Sequence, residues 1–320
     1  MAHTSTILVT GGTTGLGYYC ALEIAKQSPN ALVIIASRSS ADDAAGKINQ
    51  TLNQSNVQYL PLDLSSLSNV RDFASDFINS DRPPLTALVL NAGLQFPGGV
   101  EYSPDGFEKT FAINHLGHAL LFYLLRPKLT PSARIVLTTS GTHDPAQKTG
   151  IHAQFTTAAD AAHPSTELAK RGGRDRYGDS KLCNVLWTYA LARHIKTARL
   201  SYTVTVMDPG LMPGTGLSRD AGPVVKFLFN RVLPHLIPVL RLAFGPNVHR
   251  PGESGAALAR LAVGSDVAGV SGEYYEGMKT IRSSETSYDQ EKQEDLWEWT
   301  ARNIARDENE VAAFKDLRDL

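Results

Sequence analysis

Short apolar runs recur along the chain, and the longer stretches between them carry apolar residues at helical spacing. The runs cover residues 7–10, 31–36, 57–60, 87–90, 134–139 and 203–207. Runs this short and rich in β-branched residues are typical of buried strands, and helices that connect successive strands produce a parallel sheet. The pattern therefore predicts an α/β fold of the Rossmann type, a doubly wound parallel sheet of about seven strands with helices on both faces.

No linker, internal repeat or low-complexity segment divides the 320 residues of the chain. Hydrophobic residues make up 42% of the composition, which is enough for a large core. A single domain spanning residues 1–320 is therefore the economical prediction.

The charge balance argues against strongly charged partners. Lys and Arg together number 31 and Asp and Glu 32, for a net charge of -1, so no nucleic-acid partner is expected. The most apolar long stretch, residues 224–244, contains Lys226, Arg231 and Arg241 and two prolines. These interruptions argue against a membrane-spanning segment, but they leave peripheral contact with a membrane open.

Cysteine and histidine usage limits the chemistry further. Cys20 and Cys183 are too few for a disulfide framework, and the first residues carry no apolar signal core. His115 and His118 share a predicted helix face without a third ligand nearby in sequence, so no metal is predicted. A reducing, cytoplasmic setting is expected, with monomer and homodimer both open.

The first apolar run leads into a glycine cluster, "TGGTTGLG" at residues 10–17, and helical periodicity follows it. Glycine permits tight turning and close approach to the backbone. The helix that follows begins with unpaired N–H groups and the positive end of its dipole, which favour an anion such as a pyrophosphate. Because ligands of open parallel sheets bind at the carboxyl ends of the strands, the cluster predicts a dinucleotide site.

The end of the second run indicates which dinucleotide binds. Proteins that select NAD commonly place an acidic side chain there, whereas this chain has Ser37 and Arg38 and no acidic residue before Asp42. A guanidinium pairs with a phosphate in two-pronged geometry, so NADP(H) is the predicted cofactor.

Several motifs, taken in order, resemble the short-chain dehydrogenase/reductase family. They are the G-x-x-x-G-x-G spacing of Gly11, Gly15 and Gly17, "LDLSS" with Asp63, "NAG" at 91–93, "INHLGH" with Asn114, Ser140 after the fifth run, "YGDSK" with Tyr177 and Lys181, and "DPG" at 208–210. The resemblance covers roughly residues 6–304. The sequence around Tyr177 and the tail look most like the branch of retinol dehydrogenase and protochlorophyllide reductase.

The resemblance implies a catalytic set of Asn114, Ser140, Tyr177 and Lys181. Tyr177 and Lys181 are spaced i, i+4, which places both side chains on one helix face. A phenol that works near neutrality needs a pKa about 3 units below its usual value, or roughly 4 kcal/mol, and Lys181 is expected to supply the charge. Ser140 would bond the substrate oxygen, Tyr177 would act as general acid or base, and Asn114 would hold a water beside Lys181.

The resemblance also implies contacts with the cofactor. They are Gly11, Thr13, Gly15, Leu16 and Gly17 at the phosphates, Arg38 at the 2′-phosphate, Asp63 and Leu64 at adenine, Asn91, Tyr177 and Lys181 at ribose and nicotinamide, and Pro209, Gly210 and Thr215 beside the nicotinamide. Thr215 lies one residue further from "PG" than the common pattern places it.

Two segments bear on the substrate. Residues 141–176 resemble an insertion of that branch, and they are expected to roof the substrate cleft with His143, His152 and His163 as polar anchors. Residues 211–250 form the expected lid, whose apolar members are Leu211, Met212, Val224, Val225, Phe227, Leu228, Phe229, Leu233, Leu236 and Ile237. Burial of apolar surface at about 25 cal/mol per Å² then favours a bulky hydrophobic ketone or alcohol of terpenoid or polyketide type, as in secondary metabolism.

Other interpretations stay open at this point. The lid residues could instead pack the domain or contact a membrane. The protein could reduce a carbon–carbon double bond, since the tyrosine can also protonate carbon, or it could be a catalytically silent sensor of NADPH.

Overall fold

The computed structural model describes residues 3–40, 42–214, 227 and 231–318, and these residues form an eight-stranded sheet. The strands are β1 (Ser5–Thr10), β2 (Ala31–Ser37), β3 (Val57–Pro61), β4 (Leu85–Leu90), β5 (Leu129–Thr138), β6 (Thr203–Asp208), β7 (Glu273–Glu276) and β8 (Lys279–Thr280). Their order is β3-β2-β1-β4-β5-β6-β7-β8. Neighbours from β3 to β7 pair in parallel and β8 pairs antiparallel to β7, so the predicted doubly wound sheet is confirmed and gains one short strand.

Helices cover both faces of this sheet. They are α1 (Gly15–Gln27), α2 (Ala44–Leu52), α3 (Leu67–Asn79), α4 (Lys109–Phe111), α5 (Gly117–Leu125), α6 (Ala158–Ala162), α7 (Thr166–Ala169), α8 (Gly173–Thr197), α9 (Ile237–Phe244), α10 (Pro251–Val263), α11 (Gln290–Ile304) and α12 (Glu308–Lys315). A π-helical turn, Ala112–Leu116, joins α4 to α5. Across the part of the chain that the structure describes, no helix is both long and apolar enough to cross a bilayer.

Two hydrophobic cores lie on the two sides of the sheet. Along β1, Ile7 and Val9 join the core under α1, α2 and α10, whereas Leu8 joins the core under α3, α5, α8 and α11. Side chains alternate between the faces of a strand, so a strand buried on both sides needs a continuous apolar run. This explains why the runs, rather than an alternating pattern, located the strands.

The strand order reverses at β1, which lies between β2 and β4. The chain leaves β2 and β4 toward opposite sides, which opens a crevice beyond the carboxyl end of β1. Because the strands are parallel, the glycine turn, Arg38, Asn91, Ser140 and Pro209 all follow a strand at this same edge.

The insertion after β5 is shorter than predicted, because its last residues belong to α8. Helix α8 begins at Gly173, so 173–176 belong to the helix and the insertion ends at 172. Asp175 and Asp179 accept hydrogen bonds from the backbone N–H groups of His152 (2.9 Å) and Gln154 (2.7 Å). Phe155 and the buried alanines of α6 join the core beside α8 and α11.

The insertion and the first turns of α8 enclose a cavity of about 40 Å³. Its lining includes Ser180 but neither Tyr177 nor Lys181. This part of the described insertion therefore packs against α8, and the expected roof over the substrate cleft remains a prediction. The His163 ring packs against Phe107 in a tilted arrangement, with centroids 5.4 Å apart.

Candidate active site

Glycines shape the turn between β1 and α1 because neighbouring chain lies against them. Gly11 has φ +66°, and a Cβ there would lie 2.9 Å from the Cα of Ala92. A Cβ on Gly17 would lie 2.6 Å from Nδ2 of Asn91 and 2.3 Å from the oxygen of Gly11. The turn thus requires glycine for close packing against the "NAG" segment after β4.

The same turn borders an open cavity of about 310 Å³. Its lining is Thr13, Thr14, Gly15, Tyr18, Tyr19, Asp42, Ala44, Lys47, Gly214 and Pro251. Among the residues described, Thr14 makes no side-chain cap bond to α1 and no acidic residue occupies the first turn. The start of this 13-residue helix therefore keeps its positive dipole end toward the cavity, which fits the phosphates of a dinucleotide.

The other predicted cofactor residues lie around this edge. The Ser37 hydroxyl lies 2.9 Å from the Thr13 hydroxyl, which brings the end of β2 and the exposed Arg38 beside the turn. Asp63 accepts two bonds from Ser65, at 2.9 and 2.7 Å. The side chains of Leu16 and Leu64 are buried in the cores, so only their backbone groups can contact a ligand.

Asn91 joins the first and fourth strands. Its Nδ2 donates to the carbonyl oxygen of Thr10 at 2.8 Å, and its backbone N–H donates to the Thr10 hydroxyl at 2.9 Å. These bonds hold the segment after β4 against the glycine turn.

Two hydrogen bonds hold Lys181, and with it this part of α8, over the end of β5. The Thr139 hydroxyl donates to the Lys181 backbone oxygen at 2.7 Å, and Lys181 Nζ donates to the Thr138 oxygen at 3.1 Å. Lys181 is 2% exposed, and its Nζ lies 5.5 Å from the centroid of the Tyr177 ring. The predicted i, i+4 pair therefore shares one face of α8 beside Ser140.

Asn114 lies in the π-turn and is fully buried. Its side chain pairs with the backbone of Leu94 through two bonds of 2.9 Å and donates to the Ser180 hydroxyl at 3.0 Å. A Cβ on Gly93 would lie 3.1 Å from Lys181 Nζ and 3.5 Å from Asn114 Oδ1. The π-turn thus brings Asn114 close to Lys181, and its role in holding a water there remains a prediction.

Burial and a nearby carboxylate shift the pKa values of both Tyr177 and Lys181. Burial raises the pKa of Tyr177, the Asp208 charge raises it further, and a side-chain hydrogen bond with Ser140 lowers it. Burial lowers the pKa of Lys181 to about 8, against the Asp208 charge, which raises it. The phenol is therefore protonated at neutral pH in the protein without its cofactor, and the expected stabilisation of its anion by Lys181 remains a prediction.

Asp208 is the residue that sequence reasoning missed. It was noted only as part of "DPG", yet it is 2% exposed and accepts from Gly210 N at 2.9 Å and Asn247 Nδ2 at 2.7 Å. Its charge acts on Tyr177, Lys181 and His143. A carboxylate at the carboxyl end of a buried strand was the available signal.

The lid is only partly described. Gly210 has φ +75°, and Pro209 accepts a bond from Ser254 at 2.7 Å. Thr215, Val224, Val225, Leu228 and Phe229 lie outside the described residues. Met212 and Ile237 are buried, Leu233 is half-buried, and Leu211, Phe227 and Leu236 are exposed.

Comparison with known proteins defines the class. The family model of short chain dehydrogenase matches residues 5–152, and that of the AcuH dehydrogenase domain matches residues 219–313. Retinol dehydrogenase 13 of Homo sapiens is 31% identical over 93% of this chain and 84% of its own length. The chain therefore belongs to the short-chain dehydrogenase/reductase family of oxidoreductases, which use nicotinamide cofactors, and it is of the retinol dehydrogenase type.

Other relatives and structures agree with this family. Polyprenol dehydrogenase of Danio rerio is 31% identical over 91% of this chain and 83% of its own length, and short-chain dehydrogenase TIC 32 A of Brassica napus is 30% identical over 93% and 88%. A solved protein of Mycobacterium paratuberculosis aligns with a TM-score of 0.68 over 94% of both chains at 23% identity, which supports the fold.

Proposed function

We propose that this protein is an NADP(H)-dependent oxidoreductase that interconverts a bulky hydrophobic ketone and its secondary alcohol. The observation that carries the proposal is the convergence of Ser140, Tyr177, Lys181 and Asn114 at the sheet edge that also holds the glycine turn and its cavity. These residues come from the loop after β5, from α8 and from the π-turn, and along the chain they follow the order of the family motifs.

The chemistry follows from the positions of these side chains. Bound nicotinamide would supply or accept the hydride. For reduction, Ser140 donates a hydrogen bond to the substrate oxygen and the protonated phenol of Tyr177 delivers its proton to that oxygen. The raised pKa of Tyr177 keeps the phenol protonated at neutral pH. Lys181 holds a positive charge beside the resulting phenolate, and Asn114 orders the path by which the proton is replaced.

The cofactor preference rests on Arg38. Its exposed side chain follows β2 beside Thr13, where a 2′-phosphate would be reached by a two-pronged guanidinium. Two solved relatives carry this cofactor type by their titles, RhlG of Pseudomonas aeruginosa with NADP and a blue fluorescent protein with NADPH. Their identities of 23% and 22% make this a supporting analogy only.

The substrate class rests on the lid composition and on relatives. Residues 211–250, the expected lid, contain one acidic side chain, Asp220, and many apolar ones. The similar retinol and polyprenol dehydrogenases are named for apolar alcohols. A hydrophobic alcohol or ketone is thus the substrate class that both lines support.

A panel of purified substrates tests the proposal. We expect NADPH oxidation with polycyclic and terpenoid-like ketones, and a lower kcat/KM with sugars and short hydroxy acids. Product analysis then separates carbonyl reduction from alkene reduction. Higher efficiency on small polar ketones, or binding of NADPH without turnover of any ketone, quinone or enone, would contradict it.

A further inference from the structure

His143 follows Ser140 by three residues and is fully buried. Its Nδ1 lies 2.8 Å from the carbonyl oxygen of Ser140, and its Nε2 lies 3.1 Å from the backbone nitrogen of Ser284. A carbonyl oxygen only accepts and a peptide N–H only donates, so Nδ1 carries the proton and Nε2 carries none. These two partners therefore fix a neutral imidazole in one tautomer.

The surroundings of His143 agree with a neutral ring. Burial lowers its pKa, while the bond to Ser140 and the charges of Asp208 and Asp144 raise it. The ring packs against Tyr274 with centroids 5.1 Å apart. The net direction is downward, so the imidazole stays neutral at physiological pH.

The bonds of His143 restrain the catalytic serine. The Ser140 carbonyl also accepts from the His143 backbone N–H at 3.0 Å, so one residue supplies two donors to it. The Ser140 hydroxyl accepts from Thr142 N at 3.3 Å, within the same short turn. Fixing the peptide plane after Ser140 restrains the backbone position from which its hydroxyl reaches Tyr177.

The far side of the imidazole is anchored to α8. The Ser287 hydroxyl donates to the Ser284 carbonyl at 2.6 Å, and it lies 2.7 Å from the Ser283 hydroxyl. The Ser283 hydroxyl lies 2.7 Å from the phenol oxygen of Tyr189, on the helix that carries Tyr177. The chain of bonds from Ser140 thus returns to the helix of its catalytic partner.

We propose that His143 is a positioning residue that holds the Ser140 hydroxyl in register with Tyr177 by joining the Ser140 carbonyl to the 283–288 segment. The inference rests on the proposed function, in which Ser140 bonds the substrate oxygen. His143 touches neither substrate nor cofactor in this role.

Two amide variants separate the two bonds of the ring. His143→Asn places an amide nitrogen where Nδ1 is and keeps the donor to Ser140, whereas His143→Gln reaches Ser284 with Oε1 and leaves the Ser140 carbonyl without that donor. We expect kcat within about threefold of wild type for Asn and lower by about tenfold for Gln, with cofactor KM unchanged, because a lost buried bond is worth about 1 kcal/mol or more. Equal kcat in the two variants overturns the proposal.

A double-mutant cycle separates positioning from general destabilisation. In the Ser140→Ala background, His143→Gln should lower kcat no further, because its target is absent. Thr300→Val is the matched control, since it removes the 2.9 Å bond to His115, another buried histidine, and should lower stability without changing kcat. An undiminished effect of His143→Gln in the Ser140→Ala background overturns the proposal.

A measurement on the ligand-free protein is independent of turnover. Nitrogen-15 NMR of labelled histidine should show His143 as the Nδ1–H tautomer from pH 8 to pH 6. The other tautomer, or a charged ring in this range, overturns the inference even if the protein is an active ketone reductase. If the tautomer is as stated and no substrate is turned over, the proposed function fails instead.

Discussion

The glycine turn (residues 11–17) and the serine loop (residues 140–147) both follow a parallel strand at the same sheet edge, yet they use their polar groups in opposite ways. In the glycine turn, Thr14 leaves the start of α1 without a side-chain cap, and the cavity borders this point. In the serine loop, Ser140, His143 and Asp144 all accept or donate hydrogen bonds within the protein.

The difference separates binding from chemistry. A ligand needs donors that the protein has left unpaired, and the start of α1 keeps such donors because no side chain caps it. A catalytic hydroxyl must instead keep one direction, so its surroundings are tied by internal bonds. Changes in the first loop should therefore affect cofactor affinity, and changes near the second should affect turnover.

The largest expected effect is a loss of turnover when the proposed proton donor is removed. Tyr177→Phe removes only the proton donor, so we expect turnover to fall by about 10²–10⁴-fold while NADPH affinity stays within about twofold. Stopped-flow turnover and cofactor titration measure the two. Lys181→Met, the companion variant, should lower both. A Tyr177→Phe protein that kept most of its activity would remove Tyr177 from the mechanism.

Gly17→Ala should distort the glycine turn and weaken cofactor binding. Its Cβ would lie 2.3 Å from the oxygen of Gly11, so the turn must shift, at a cost of about 1–3 kcal/mol in stability. We expect cofactor affinity to fall more than tenfold by titration. Gly98→Ala is the control, because a Cβ there meets nothing within 4 Å. Similar losses in the two variants would show that the turn has no special requirement.

Arg38→Asp should sharpen the assignment of the cofactor. Losing a charge-assisted pair worth about 1.5–3 kcal/mol predicts a loss in NADPH affinity of about tenfold to a hundredfold, with little change for NADH. Isothermal titration of both cofactors measures the ratio. If the native protein bound NADH and NADPH equally well, Arg38 would have no part in selection.

The smallest effect concerns pH. The pKa of Lys181 is about 8, so its ammonium is charged below that pH and loses its charge above it. We expect the affinity for added cofactor, in the absence of substrate, to weaken severalfold between pH 7 and pH 9.5. Fluorescence titration measures this change. Lys181→Met should bind weakly at both values. An affinity that rose with pH would contradict a binding role for the charged form.

The sequence by itself determined the fold and most of the site. Apolar runs located the strands because burial on both faces requires them, and the glycine spacing and the i, i+4 pair of Tyr177 and Lys181 are local properties of backbone and helix. Such features depend on residues that are close in sequence, so they can be predicted without knowing which distant residues they contact.

Only the tertiary structure decided which groups meet across long separations. The bond between His143 and Ser284 joins residues 141 positions apart. The charge of Asp208, at the end of β6, acts on Tyr177 in α8. The insertion covers α8 because Asp175 and Asp179 bind its backbone, which no periodicity reveals. The raised pKa of Tyr177 has the same origin, because burial depends on everything that packs around the phenol, whereas spacing fixes only which two residues share a helix face.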